Sequence, residues 1–395
     1  MEITGIETET VLKAVREIVP KLRENGAEAE SRRWIPDENL DLLEKAGVFR
    51  IATPRVFGGL ELSLADQAEV LAEIARGCAS SSWVAMVWAS SAWMAGLYPE
   101  QLQRELFADP SVRISGGFTP SGALTPDGEG YRLSGSWRFN SGCRGADWNM
   151  AMAILERPDG SVTEAIALVP MAEFTIADDW HTSALAATGS STSSVQDLFV
   201  PAHRVVTFDE PPAEEAGAEP PAAGEAGTGR AYGLYGFLFS QAVGTFLGIA
   251  KGALELFVER LPGRGISYTS WTDQAQHPLT QIQVATASTK IAAAEALADG
   301  LYTVLQAHAD AGTEPTLEER ARVRAHSAYA AQLAKEAVEI LHGASGATVI
   351  QRSVPMQRFH RDIQGLALHG WILLHPNLEV YGRVLLGLDP DTQLL

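Results

Sequence analysis

Near the end of the chain a lone histidine, His369, stands among small and apolar neighbours, Leu366, Ala367, Leu368 and Gly370. An imidazole with an unperturbed pKa of about 6.5 can move a proton or hold a hydrogen bond near neutral pH. Arg358, Arg361 and Asp362 lie just before it, so a charged group can be gripped at one end of the segment and an apolar one at the other. Asp362 precedes His369 by seven residues. That is about two helical turns, which predicts both on one helix face. The second candidate is Ser141, in the stretch from Ser134 to Trp148. This stretch reads as a strand ending in small residues, then a glycine-flanked turn. The pair Ser141-Gly142 leaves room for a flat ring to approach the backbone, where the hydroxyl can accept an N–H. The bland alternatives are a histidine satisfied inside a helix bundle and a serine that caps a turn.

The elements that must position these residues follow from periodicity. Val11, Val15, Ile18, Val19 and Leu22 recur at helical spacing. A second helix opens at Pro36 and stops at Gly47, and Ser63 with Asp66 opens a third. The uncharged run from Ala79 to Tyr98 supplies a fourth, with Trp83, Val87, Ser90 and Met94 along one face. Residues 1–111 therefore form a helical domain. From about residue 112 the period changes to two, as in Tyr131, Leu133, Trp137 and Phe139, or Trp148, Met150, Met152 and Ile154. Residues 112–209 are read as an antiparallel, barrel-like β domain. Residues 210–229 hold five glutamates, no basic residue and many Pro, Ala and Gly, the composition of a surface loop or linker. Residues 230–395 return to helical spacing, with long helices expected near 231–261, 278–311, 316–343 and 366–387. The fold class is thus α+β multidomain, ending in a four-helix bundle.

Composition excludes several functions. Thirty basic against forty-nine acidic side chains give a net charge of −19, which repels nucleic acid. The uncharged run is long enough to span a bilayer, but its serines make a buried helix the expected form and no membrane association is expected. Two cysteines, Cys78 and Cys143, and an acidic start without a signal-peptide layout fit a soluble cytoplasmic protein. No G-x-G-x-x-G after a strand, Walker lysine motif or G-x-S-x-G elbow occurs. The nine histidines form no H-x-x-x-H pair, so no metal site is expected.

The order of helices, β block and bundle resembles the acyl-CoA dehydrogenase fold over nearly the whole chain, down to a "P-x-x-x-G-G" connector at Pro54 to Gly59. In that fold an Arg-Asp pair, here Arg361-Asp362, precedes a catalytic Glu-Gly-Thr motif. This chain has Leu368-His369-Gly370 instead. A histidine there resembles the two-component flavin-dependent monooxygenases, a family that includes dibenzothiophene monooxygenase and phenol-type hydroxylase oxygenase components. The resemblance implies an oxygenase that takes reduced FMN, with FAD as second choice, and O2. Through a C4a-hydroperoxyflavin it would hydroxylate an organic, aromatic substrate. It also implies a separate NAD(P)H:flavin reductase and a homotetramer built as a dimer of dimers. Excess apolar helix surface at Phe237, Phe239, Phe246, Ile249 and Phe257 is read as seeking a partner chain.

Residue by residue, the "W-x-F-x-S-G" pattern places Phe139 and Ser141 at the flavin, with the serine against N5. Phe118 and Thr119 flank the ring, and Trp180 and Thr182 wall it. Thr192, in the Ser/Thr-rich stretch 182–194, lines ring and phosphate. Arg361 is counted with the cofactor-binding residues. Arg264, Gly343 and Gly346 touch the cofactor of a neighbouring subunit. Trp88, Ser90, Trp93 and Trp371 are expected to line an aromatic substrate pocket. Two other readings are carried: an acyl-CoA dehydrogenase-like flavoenzyme, and a non-catalytic binding protein.

Overall fold

The computed structural model describes residues 2–157, 159–207, 232–392 and 394–395, so the acidic stretch 210–229 and the boundaries drawn beside it lie outside the described residues. The chain opens with helices α1 (Glu2–Glu24), α2 (Gly26–Arg32), α3 (Asp37–Lys45), α4 (Leu64–Gly77), α5 (Ala79–Ala95) and α6 (Glu100–Leu106). The start of α4 is fixed as its sequence requires: the Ser63 hydroxyl accepts the Asp66 backbone N–H at 3.2 Å. Helix α5 carries no charge and is buried on every side except at Val87. It therefore has no single working face, contrary to the expected row at Trp83, Val87, Ser90 and Met94.

The middle of the chain forms strands β1 (Ile114–Asp127), β2 (Gly130–Trp137), β3 (Trp148–Glu156), β4 (Val162–Pro170), β5 (Thr175–Ile176), β6 (Ser193–Pro201) and β7 (Val205–Thr207). They make one sheet in the order β5-β6-β2-β1-β3-β4-β7. The sheet is mixed, which corrects the antiparallel expectation: β1 and β3 run parallel, with a register shift between Gly117 and Gly122. The cause is topological. A tight hairpin places β2 on one edge of β1, so the chain must cross to the other edge, and it enters β3 in the direction of β1. Residues 138–147 make that crossing, and they carry Ser141.

The rest is helical: α7 (Leu234–Glu259), α8 (Pro278–Ala311), α9 (Leu317–Gly343), α10 (Pro355–Leu366) and α11 (Leu374–Leu385). Proline opens α8 and α10, and Thr316 with Glu319 closes a full capping box at α9. The helix expected over 366–387 starts later, and a further helix, α10, lies ahead of it where none was expected. Helix α10 ends at Leu366, a turn containing Gly370 follows, and α11 begins at Leu374 with Pro376 in its first turn. Among the described residues α7 alone is long and apolar enough to cross a membrane, and its core window is 89% buried under neighbouring helices. Phe237, Phe239, Phe246, Ile249 and Phe257 are each at most 2% exposed within the subunit, so they give no reason for assembly. The apolar residues left on the helical surface are others, among them Leu279, Ile282, Ile350 and Leu386.

Helix α7 lies against α4 closely enough that a Cβ on Gly248 would fall 2.0 Å from the Ala72 carbonyl oxygen. Gly300 on α8 has open space around it. Gly248→Ala should therefore destabilise by about 1–3 kcal/mol through overpacking. Gly300→Ala should stabilise by up to about 1 kcal/mol through helix propensity. Opposite shifts in thermal midpoint check this pair, and a neutral Gly248→Ala would show that the α4–α7 seam can open.

Candidate active site

Ser141 sits on the crossing between β2 and β3, buried at 8% exposure. Its turn is held by buried polar contacts: Asn140 donates to Asn149 Oδ1 and to Ser193 Oγ, each at 2.9 Å. Gly142 has φ +77°, and a Cβ there would meet Trp88 Nε1 at 2.6 Å. A flat ring does approach this backbone, but it is the chain's own indole, not space left for a ligand. The hydroxyl of Ser141 accepts the indole N–H of Trp83 at 3.2 Å and lies 2.7 Å from the Ser190 hydroxyl. Ser190 in turn is 2.6 Å from the Thr188 hydroxyl, which donates to the Leu185 carbonyl at 2.8 Å.

Trp83 joins this hydroxyl group to His369, whose ring lies edge-on at 5.3 Å. Trp371 stands 5.7 Å from His369 and about equally far, at 6.0 Å, from Phe118 and from Phe239. His369 is not on the helix of Asp362. It follows the α10 C-terminus, its N–H donating to the Leu366 carbonyl at 3.0 Å. Solvent reaches the ring, yet surrounding protein still depresses its pKa by desolvation. The Trp371 N–H approaches His369 Nδ1 at 3.4 Å, so the neutral ring carries its hydrogen on Nε2.

Asp362 points elsewhere. Its Oδ1 accepts the Leu185 N–H at 2.6 Å, and Leu185 is in the left-handed region at φ 51°. Arg361 donates to the Ser183 carbonyl and pairs with Glu30 at 2.7 Å. Helix α10 thus clamps the loop at 183–185. Arg361, expected among the cofactor contacts, is engaged here by the loop and by α2.

Of the other expected residues, Phe139 is 66% exposed at φ 58° and meets Trp180 edge-on at 5.7 Å. Thr119 is exposed, and Thr182 turns its hydroxyl onto the Ala184 carbonyl at 2.9 Å. Thr192 is bound to Asp179 through both its N–H and its hydroxyl. Arg264 donates to the Ser345 carbonyl and lies over Gly346 in the turn that follows Gly343, a separate group. Trp88, Ser90 and Trp93, expected on the pocket wall, are buried among the helices. Trp88 packs on Phe49, Trp93 stacks on Phe237 at 3.9 Å, and Ser90 donates to the Met86 carbonyl at 2.9 Å. Thr188, Ser190 and Phe239 join the site without having been singled out. The Ser/Thr-rich stretch was the signal, but it does not say which hydroxyls turn inward.

Burial raises the Asp362 carboxyl to about 6, with Arg358 and Arg361 opposing the rise. A folded pKa above the unfolded value of about 3.9 means that this group's contribution is full at low pH and is lost as pH rises through about 6. Asp362→Asn keeps an oxygen for the Leu185 N–H but cannot ionise. The difference between wild-type and variant stability should therefore drift by on the order of 2–3 kcal/mol between pH 4 and pH 7, in the variant's favour as pH rises. Melting curves across that range measure it, and parallel curves would refute the assignment.

Residues 6–107 match the acyl-CoA dehydrogenase N-terminal domain, and residues 241–372 match the acyl-CoA dehydrogenase C-terminal domain. The oxygenase component of a FADH(2)-dependent resorcinol hydroxylase from Rhizobium sp. (strain MTP-10005) is 31% identical, over 94% of this chain and 92% of its own. The oxygenase component of p-hydroxyphenylacetate 3-hydroxylase from Acinetobacter baumannii is 28% identical over 100% of this chain and 92% of its own. The structure of XiaF from Streptomyces sp., in complex with FADH2 and glycerol, superposes with a TM-score of 0.91 at 28% identity, covering 100% of this chain and 99% of that one. Fold and relatives agree, and the chain belongs to the oxygenase components of flavin-dependent monooxygenases built on the acyl-CoA dehydrogenase fold.

Proposed function

We propose that this oxygenase hydroxylates a phenol-type aromatic substrate at the recess between Ser141 and His369. The observation that carries the reading is Trp83, which hydrogen-bonds Ser141 at 3.2 Å and lies against His369 at 5.3 Å, so both polar groups address one aromatic space. The resorcinol and p-hydroxyphenylacetate enzymes act on phenols, which supports that substrate class.

The residues present suit a flavin. Phe139 is a large aromatic held exposed in left-handed backbone beside Trp180, a corner that a planar ring system can cover. Ser141 retains acceptor capacity toward an N–H. When bound and reduced, flavin supplies the activation of O2 and the oxygen atom that is transferred. Two of the relatives are named with FADH2, which puts reduced FAD ahead of FMN as the flavin to test first.

In this reading Ser141 accepts the N5–H of the reduced ring and Phe118 flanks that ring, while Trp371, 6.0 Å from Phe118, holds the substrate ring. His369 offers Nε2–H to an oxygen at the reacting edge, and its depressed pKa keeps it neutral at physiological pH. With the hydrogen on Nε2, donation is favoured over abstraction of a phenol proton. Arg264 and the Gly343–Gly346 turn are assigned to the cofactor of a neighbouring subunit in a homotetramer. A separate NAD(P)H:flavin reductase supplies the reduced flavin, and the setting is the cytoplasm.

His369→Ala should keep flavin affinity and lose about 10²-fold or more in product formation. In the wild type, charging the imidazole adds a hydrogen at Nδ1 that faces the Trp371 backbone N–H, so the ring should lose its set orientation and kcat/KM should fall on the acid side, below the ordinary histidine range. Single-turnover product analysis with reduced FAD and a set of phenols measures both. Wild-type rates in the variant would remove His369 from the reaction. Failure to bind reduced FAD or FMN anaerobically would overturn the functional reading as a whole.

A further inference from the structure

Four contacts run in line from Trp83 to Leu185: indole N–H to Ser141 (3.2 Å), Ser141 to Ser190 (2.7 Å), Ser190 to Thr188 (2.6 Å) and Thr188 to the Leu185 carbonyl (2.8 Å). One end is a donor only and the other an acceptor only. Between them stand three hydroxyls, each with a single hydrogen. The indole hydrogen occupies the first contact, and only Thr188 can fill the last. Thr188 has then spent its hydrogen, so Ser190 must donate to Thr188. Ser190 has likewise spent its own, so Ser141 must donate to Ser190. Every hydrogen is assigned and no other arrangement fills all four contacts.

Burial protects this direction. Trp83, Thr188 and Ser190 are 6%, 1% and 4% exposed, so a hydroxyl turned around would leave a contact without a hydrogen. The far end is also fixed. The Leu185 carbonyl further accepts the Trp180 indole N–H at 3.2 Å, and its own N–H is held by Asp362 at 2.6 Å.

We propose that Thr188, Ser190 and Trp83 are positioning residues that fix Ser141 as a pure hydrogen-bond acceptor toward the flavin, and so make this site select the reduced cofactor. The inference rests on the placement of flavin N5 at Ser141. Reduced flavin presents a hydrogen at N5, which an acceptor can take. Oxidised flavin presents a lone pair there, which faces the lone pair of Ser141. An oxygenase supplied with reduced flavin by another protein gains from this asymmetry, because the spent, oxidised ring is held less tightly than the incoming one.

The test is the ratio of two dissociation constants, for FADH2 under anaerobic conditions and for FAD, read by calorimetric titration without turnover. Thr188→Val keeps the shape of the side chain and removes the last donor and acceptor of the chain. Ser190 then turns toward Ser141, and Ser141 turns its hydrogen outward. The preference for FADH2 over FAD should drop by about tenfold, the worth of one hydrogen bond. Thr188→Ser restores the hydroxyl and should restore the ratio, which a merely structural role at this position would not require. Ser190→Ala breaks the chain at a second point and should lower the ratio in the same way, covering the case in which Thr188→Val fails to fold. A wild-type ratio in either well-folded variant overturns the relay. A wild type that binds neither FADH2 nor FAD overturns the functional reading and the relay together, so the two failures are distinguishable.

Discussion

The bond from the Leu185 N–H to the buried Asp362 carboxylate holds the loop of the sheet domain onto the helical bundle. Leu185 sits in left-handed backbone, a conformation that costs energy for a branched residue unless its surroundings impose it. Asp362 imposes it from α10, with Arg361 gripping Ser183 one step earlier. With the Leu185 peptide fixed, its carbonyl becomes a fixed acceptor for Thr188 and Trp180, and the hydroxyls beyond Thr188 inherit their orientation. The sheet brings Ser141 to the same place on the crossing that a parallel β1–β3 pair requires. Local geometry at the serine thus depends on a carboxylate that does not touch it.

The groups addressing the recess share an electrostatic character. Ser141 and Trp83 are neutral, and His369 is pushed toward its neutral form by desolvation. Asp362, the acid nearest in sequence, is turned away behind the Leu185 peptide. Hydrogen-bond direction, more than ionic attraction, is therefore what these residues have for telling one bound species from another.

Much of this was legible in the residues. Helix starts at Ser63, Pro278 and Thr316 were readable because each is fixed by a local backbone or capping requirement, whereas the start at Pro355 was missed. His369 and Ser141 stood out as polar groups among small or apolar neighbours, and the structure does bring them to either side of one indole. The parallel β1–β3 pair was not legible, since alternation reports a strand but not its neighbour. Neither was the break between α10 and α11, because the apolar spacing continues through the turn. The tryptophans of α5 misled for a similar reason. On a helix buried all round, no face is marked: Trp83, Trp88 and Trp93 are all buried, and only their partners, Ser141 and His369 for Trp83 against Phe49 and Phe237 for the others, tell them apart. The inward turn of Thr188 and Ser190 depends on positive φ at Leu185 and Gly189, which one residue's identity hints at and the other's does not.

The site draws on parts of the chain that lie far apart in order of synthesis: Trp83 on α5, Ser141 between β2 and β3, Thr188 and Ser190 before β6, then Asp362 and His369 at and beyond α10. During translation the first four are outside the ribosome long before the last two. Until α10 docks, Leu185 has no carboxylate to hold it and the recess has no wall at His369. An unfinished chain thus carries the hydroxyls of Ser141, Thr188 and Ser190 without the clamp that aligns them, and the last segment made is the one that sets the geometry of those made before it.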